Sequence, residues 1–389
     1  VDDEHRLPIG RPWLTVAIDE YSRMTVGFHL SFDAPSMTSV GMCLANVMLP
    51  KDAILMANGI ESPWPVWGRP TKVRCDNGPD FRSESVRRSC SQYAIDLEFR
   101  PVKVPRYGGY VERLQGTLLR ELHDLPGSTF SSTEVRGEYD SEGRAVLTKS
   151  ELEHQLLMLI CNEYHRRPHA SIGMPPLRKW ELGIFGGTGS SGSGVAPRPA
   201  DRTTVYLDFL PMLERTVQND GVSIDGLRYY ADVLRQWIGA KDGDTGKARK
   251  HIFRRDPRDI SVIWFYDPDI KEYFRIPTAD QSFPSCSVWE HQKAQEDVKK
   301  AGFDPSDERA VLRSITARRE LVQKSSARTK ATRREAQRRV EHAKSTGQIA
   351  AAVASKKNSR DLAPRPGKAF SKLLSNELAS AVAASDDIA

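Results

Sequence analysis

Two acidic residues set the chemistry this sequence can support. Asp76 closes the apolar, strand-like run Thr71-Lys72-Val73-Arg74-Cys75, and the turn residues Asn77-Gly78-Pro79 follow at once. Glu112 stands where Gly108-Gly109 gives way to the helical pattern Val111-Glu112-Arg113-Leu114-Gln115. Between them lie 35 residues. A strand-end Asp and a helix-start Glu can converge on one point, and converging carboxylates are the usual ligands of Mg²⁺, which takes oxygen donors and keeps several waters. Each also has a plainer reading when taken singly. Asp-Asn-Gly is a good turn sequence, and a glutamate at a helix start is favoured by the dipole.

The elements that must position these acids are legible around them. Residues 13–19 and 24–30 read as two strands joined by the turn-like Glu20-Tyr21-Ser22-Arg23, with Asp19 bonding that turn. Residues 36–49 have helical periodicity (Val40, Cys43, Leu44, Val47, Met48), and the Pro/Trp-rich stretch 63–68 leads to the Asp76 strand. A helix over 83–94, a short strand over 96–100, a helix over 111–125 and a long helix over 148–166 complete this part. A strand hairpin followed by alternating helices and strands predicts a mixed α/β sheet flanked by helices.

Residues 186–200 (GGTGSSGSGVAPRPA) have the composition of a flexible linker and set a boundary. After it, short strand-like runs at 204–207, 215–218, 221–224, 227–230, 261–266 and 272–276 predict a small all-β barrel, with hairpin turns at Asn219-Asp220-Gly221 and Asp225-Gly226. The division is 1–183, linker 184–200, barrel 201–280, and a basic helical to disordered tail over 281–389, whose Arg318-Arg319, Arg333-Arg334 and Arg338-Arg339 doublets suit an anionic or protein partner.

The 389 residues are 39% hydrophobic, enough for more than one core. The net charge of +6 favours an anionic partner, and the charge is unevenly spread. Five cysteines form no CxxC pair and lie at no zinc-finger spacing, so they read as buried thiols of a reducing, cytoplasmic protein. No apolar run of the ~18 residues needed for a membrane span occurs, and there is no signal-peptide pattern. The first residue is Val rather than Met, which reads as a fragment.

Four stretches in order carry a resemblance: RPWLTVAIDEYSR (11–23), VRCDNGPDF (73–81), YGGYVERLQGTL (107–118) and NEYHRRPHASIGMPPLRKWE (162–181). Together they resemble the catalytic core of retroviral-type integrases and DDE transposases, and the 35-residue gap belongs to that family's signature. RRDPRDISVIWFYDP (254–268) resembles the C-terminal β-barrel of Mu-type transposases. The whole is most similar to the TnsB/TniA-like bacterial transposases.

The resemblance implies an RNase H-like core that cuts transposon 3′ ends and joins them to target DNA. The implied cofactor is Mg²⁺ or Mn²⁺, two ions about 3.5–4 Å apart serving the attacking and leaving oxygens. Asp76 and Glu112 match the second and third acids of the triad. The first has no match in residues 1–10, and Asp19 falls at a strand position that the family does not use for metal. The implied partners are DNA (transposon ends and target), further copies of the chain on that DNA, and an ATP-dependent target-selecting protein reached through the tail.

Lys103, Arg106 and Arg113 surround the Gly-Gly segment and Glu112 and are candidate DNA-backbone contacts, as are Arg254 and Arg255 before the barrel hallmark. Each is equally readable as surface charge. His165 and His169 read as structural residues beside DNA, and Trp264 and Tyr266 as barrel packing. Two rival readings remain: a non-catalytic DNA-binding or assembly subunit with a degenerate core, and an RNase H-like nuclease. Upstream coding sequence separates the first rival. An Asp-x-Thr on a β-type run shortly before Val1 is the outcome expected for the enzyme, and a natural start at Val1 favours the subunit.

Overall fold

The computed structural model describes residues 1–3, 6–76, 83–99, 109–122, 125, 145–243, 245–325 and 333–344. Trp13–Ile18 (β1) and Thr25–Ser31 (β2) pair antiparallel, with Val16 opposite Phe28. Asp19 holds the turn between them. Its carboxylate accepts from the Ser22 amide at 2.7 Å and from the Ser22 hydroxyl at 2.6 Å, the Asx-type bonding expected of it. Met37–Met48 (α1) lies on β2, and Gly27 permits the approach, since a Cβ there would meet Val47 Cγ2 at 2.8 Å.

After Asp52–Ala57 (α2) come Lys72–Cys75 (β3) and Asp96–Phe99 (β4), paired parallel, with Glu84–Gln92 (α3) in the crossover. Ser83 caps α3 by accepting from the Val86 amide. Gly109–Leu122 (α4) packs across β1 and buries Leu114 and Leu118. Lys149–Met158 (α5) opens on a capping box between Thr148 and Glu151 and passes into a π-helical turn, Leu159–Tyr164. Pro176–Phe185 (α6) follows, with proline at its first position.

Residues 184–200, expected as a flexible linker, are anchored to this part. Gly186–Gly187 (β5) pairs with Ser190–Ser191 (β6). The Trp67 indole donates to the Ala196 carbonyl at 2.8 Å, and Arg198 pairs with Asp52 at 3.0 Å.

Arg202–Asp208 (α7) corrects the strand expected at 204–207. Thr203-Thr204-Val205-Tyr206 has β-forming composition, but Asp201 caps the first turn by accepting from the Thr203 amide at 2.9 Å, and burial of Val205 and Leu207 decides the rest. Met212–Arg215 (β7), His251–Arg255 (β10), Val262–Asp267 (β11) and Glu272–Pro277 (β12) form a four-stranded antiparallel sheet in the order β12-β11-β10-β7. Val222–Ile224 (β8) and Leu227–Tyr229 (β9) form a separate hairpin. Its Asp225-Gly226 turn has φ of 53° and 83°, as a primed turn requires. Trp264 is partly buried, and Tyr266 packs on Tyr273 across the strands with ring centres 5.1 Å apart.

Val288–Lys300 (α8) and Glu308–Ser325 (α9) pack together beside this sheet. Residues 333–342 are also helical, and they differ from the basic tail expected there because their charges are bound within the chain. Arg338 Nε donates to Asp33 at 2.9 Å and its guanidinium lies 4.4 Å from the Trp289 ring centre. Lys149 pairs with Glu341 at 2.8 Å, Arg333 donates to the Pro8 carbonyl at 2.8 Å, and the Asp3 amide donates to Gln337 at 3.2 Å. On α9, Arg319 pairs with Glu290 at 2.8 Å and Arg318 with Asp297 at 2.6 Å. Residues 1–342 thus form one compact unit. Residues 343 and 344, the described part of the second unit, are helical.

Three apolar cores result: one under the β1–β2 pair, one under the four-stranded sheet, and one between them. The middle core joins Val40, Leu44, Val86 and Cys90 to Val205, Leu207 and Phe209. Beside it sits fully buried Asp208, whose carboxylate accepts 2.6 Å bonds from Tyr93 after α3 and from Tyr273 on β12. All five cysteines are buried, and burial pushes the Cys43 and Cys161 thiols up to about 12. Among the described residues no helix is long and apolar enough to cross a membrane.

Asp208→Ala leaves two buried hydroxyls without their acceptor. The expected loss is about 3 kcal/mol of stability, at about 1–3 kcal/mol per stranded polar group. A urea midpoint compared with the parent checks it.

Candidate active site

Among the described residues β1 pairs only with β2, and β3 only with β4. Their remaining edges border a single groove of about 1300 Å³, lined by residues 14–19 of the first and 71–76 of the second. Segment 193–197 and the α6 residues Trp180 and Glu181 contribute to its walls.

Both predicted acids line this groove. Asp76 is the residue after β3 and is exposed, and Glu112 is exposed in the first turn of α4. Two contacts bring these element ends together. Arg74 of β3 reaches Glu20, just beyond β1, at 2.8 Å, and it also holds Glu98 of β4 at 2.9 Å. Arg23, at the end of the β1–β2 turn, lays its guanidinium 3.6 Å from the centre of the Tyr110 ring in α4. The turn after β1, the end of β3 and the start of α4 therefore meet at one end of the groove.

Oxygen donors of this kind suit Mg²⁺ in type. In number they fall short, because among the described residues no group of three or more His, Cys, Asp or Glu is placed to hold a metal. What the pair offers by itself is a focus of negative charge at the groove end, bordered by Arg23, Arg74 and Arg113.

The other candidates divide. Lys103 and Arg106 lie outside the described residues. Arg113 is exposed one residue after Glu112. Arg254 and Arg255 are corrected: neither faces solvent as a DNA contact. Arg254 is 2% exposed, donating to the Leu210 carbonyl at 2.9 Å and lying 3.4 Å from the Ser89 hydroxyl. The Arg255 side chain is 12% exposed and pairs with Asp225 at 2.7 Å. The sheet alternates its faces, so two adjacent arginines of a β-strand cannot both point outward, and packing of the two parts of the chain covers them.

His165 is buried against Trp64 and Tyr164, and its Nε2 accepts from the Thr25 amide at 3.2 Å. It is a core residue. Arg23 and Arg167 were not singled out by sequence. For Arg23 a signal existed, since it sits in the turn that Asp19 was expected to bond.

Burial pulls the His165 imidazole down to about 3, against about 6.5 when unfolded. The unfolded chain therefore binds more protons between those values. The contribution of neutral His165 is complete above pH ~6.5 and is lost as pH falls toward 3. His165→Gln is expected to flatten the fall in stability between pH 6.5 and 4 by about 3 kcal/mol, read from urea midpoints at each pH. Parallel slopes would remove His165 from the acid response.

Comparison with known proteins accounts for this layout. The TnsB C-terminal domain model matches residues 1–127, which hold β1 to β4 and both acids. The Mu transposase C-terminal model matches residues 207–274, which hold most of the four-stranded sheet. The chain is 27% identical over 270 residues to the transposase for transposon Tn552 of Staphylococcus aureus, covering 68% of this chain and 51% of that protein. It is 26% identical over 385 residues to the Tn7 transposition protein TnsB of Escherichia coli, covering 92% of this chain and 53% of that protein. The chain thus spans about half the length of these relatives. Two family models in their expected order, and relatives aligned across both parts, make this chain a member of the TnsB-like transposases.

Proposed function

We propose that this chain is the catalytic and C-terminal part of a DDE-type transposase that cleaves DNA at transposon 3′ ends and joins them to target DNA. The observation that carries the reading is the shared groove: Asp76 and Glu112 line one end of it, between two strand edges that have no partner among the described residues. An additional strand seated there would join β1 and β3 into one sheet of the RNase H-like kind and could bring a third carboxylate to the same end. Two Mg²⁺ ions held by such a triad would stabilise the attacking and leaving oxygens of an in-line displacement. The chain's own residues hold the acids in place through the Arg74–Glu20 bridge and the Arg23–Tyr110 stack.

The sheet over 212–277, closed by the β8–β9 hairpin, fits a Mu-type barrel, and the division into core, linker, barrel and tail remains part of this reading. The partners in it are transposon-end and target DNA, further copies of the chain on that DNA, and an ATP-dependent target-selecting protein at the C-terminal end. Its place is the cytoplasm, on the nucleoid.

One observation favours a second reading, an assembly subunit that binds DNA without chemistry: the described residues hold two carboxylates at the groove and no third metal ligand beside them. The polypeptide extended upstream by one strand, given Mg²⁺ and a pre-cut end duplex, separates the two. Joining to plasmid DNA is expected, with Asp76→Ala and Glu112→Ala each lowering it at least ~100-fold while duplex binding persists. Full joining by either variant sinks the site assignment. Nicking without joining favours the nuclease reading, and binding without either reaction favours the subunit.

A further inference from the structure

We propose that Arg23, Arg113 and Arg167 form a cradle for a backbone phosphate of duplex DNA, beside the end of the groove that holds Asp76 and Glu112. The inference rests on the transposase reading and adds to it the residues that grip the strand near the chemistry.

Arg23 is the first observation. It is a non-glycine residue at φ 65°, a costly conformation for a side-chain-bearing residue. The turn bonded by Asp19 enforces it, since the Arg23 amide donates to the Asp19 carbonyl at 2.9 Å. The result is a guanidinium held flat on Tyr110, with NH1 donating to the Glu20 carbonyl and Nε 3.5 Å from the Ser171 hydroxyl. Strain of this kind is kept where a side chain must be aimed. Tyr110 lines the groove two residues before Glu112, so the stack fixes Arg23 at the groove mouth.

His169 is the second. It lies on the loop after the π-helical turn, with Nδ1 3.2 Å from the Ser171 amide and 3.0 Å from its hydroxyl. Burial, and then the positive charges of Arg23, Arg113 and Arg167, hold its imidazole below the ordinary range. Three guanidinium groups drawn from the β1–β2 turn, α4 and the loop thus act on one point. Arg113 is exposed, and the Arg167 side chain is 51% exposed. The acids bordering the cluster are Glu112 and Glu121. The second of these meets Arg167 only at 3.4 Å across an exposed pair, which is worth little.

Three like charges brought together destabilise the free protein, and a bound anion relieves that cost. Guanidinium forks match phosphate oxygens with paired, charge-assisted bonds. A phosphodiester is the anion that the adjacent carboxylates would act on.

The test uses the full chain and a fluorescein-labelled duplex, with anisotropy read at roughly 50–200 mM salt and no metal. Arg113→Gln/Arg167→Gln is expected to weaken binding about 10-fold or more and to reduce the slope of log K against log salt by about 0.9, the value for one phosphate contact. Arg113→Lys/Arg167→Lys is expected to keep the slope while recovering only part of the affinity, because it restores charge without the fork. Arg235→Gln, at an exposed arginine of the C-terminal part, is expected to leave the slope unchanged. An unchanged slope in the Gln pair, or an equal drop in Arg235→Gln, overturns the cradle and leaves the transposase reading standing. Absence of any duplex binding by the parent removes both. Urea midpoints of the variants confirm that they are folded.

Discussion

The carboxylate of Asp208 is the interaction on which the arrangement of this chain depends. It is buried, and it accepts from one tyrosine next to α3 and another on β12. Its own carbonyl receives the Ser89 hydroxyl, and Arg254 reaches the neighbouring Leu210 carbonyl from β10. A buried carboxylate is stable only if its bonds are all made. This cluster can therefore form only when the groove-bearing part and the four-stranded sheet are in register with each other. The apolar surface around it would tolerate sliding, but the paired hydroxyls would not. The glycine- and serine-rich segment before α7 does not set the relation of the two parts; the buried polar junction does.

Much of the catalytic part was legible because its elements announce themselves locally. Asp76 after β3 and Glu112 in the first turn of α4 fell where the punctuation placed them: a turn triplet after a β-branched run, and a glycine pair before a helical repeat. Asp19 took the turn-bonding role that its spacing to Ser22 allowed. The misreadings share a cause in tertiary context. The Thr-Thr-Val-Tyr run became α7 because a single aspartate capped it and the middle core needed its apolar face. Strand β10 was missed because His251, Arg254 and Arg255 give it the composition of a surface loop, although its arginines are bound inside.

Charge was the property that sequence reading treated most loosely. Doublets of arginine in the last third suggested a solvated arm seeking phosphate. In the folded chain Arg318, Arg319, Arg333 and Arg338 are engaged with acids or carbonyls of the same chain. A net charge counts residues, whereas a binding surface counts only the charges left over after intramolecular pairing. By that measure the basic residues around the groove end carry more weight than the longer and more basic stretch near the C-terminal end.

The helix over 333–342 has a further consequence for how the chain is made. Asp3 and Pro8 find partners in Gln337 and Arg333, more than 300 positions later. During synthesis at ~5–20 residues per second, the opening segment waits on the order of tens of seconds before those partners leave the ribosome. Until then the start of the chain, next to the open edge of β1, is held by few of its final contacts. An exposed strand edge in a nascent chain is a site for mispairing. The closing helix is therefore also a timer, which fixes when during translation the first residues can take their final place.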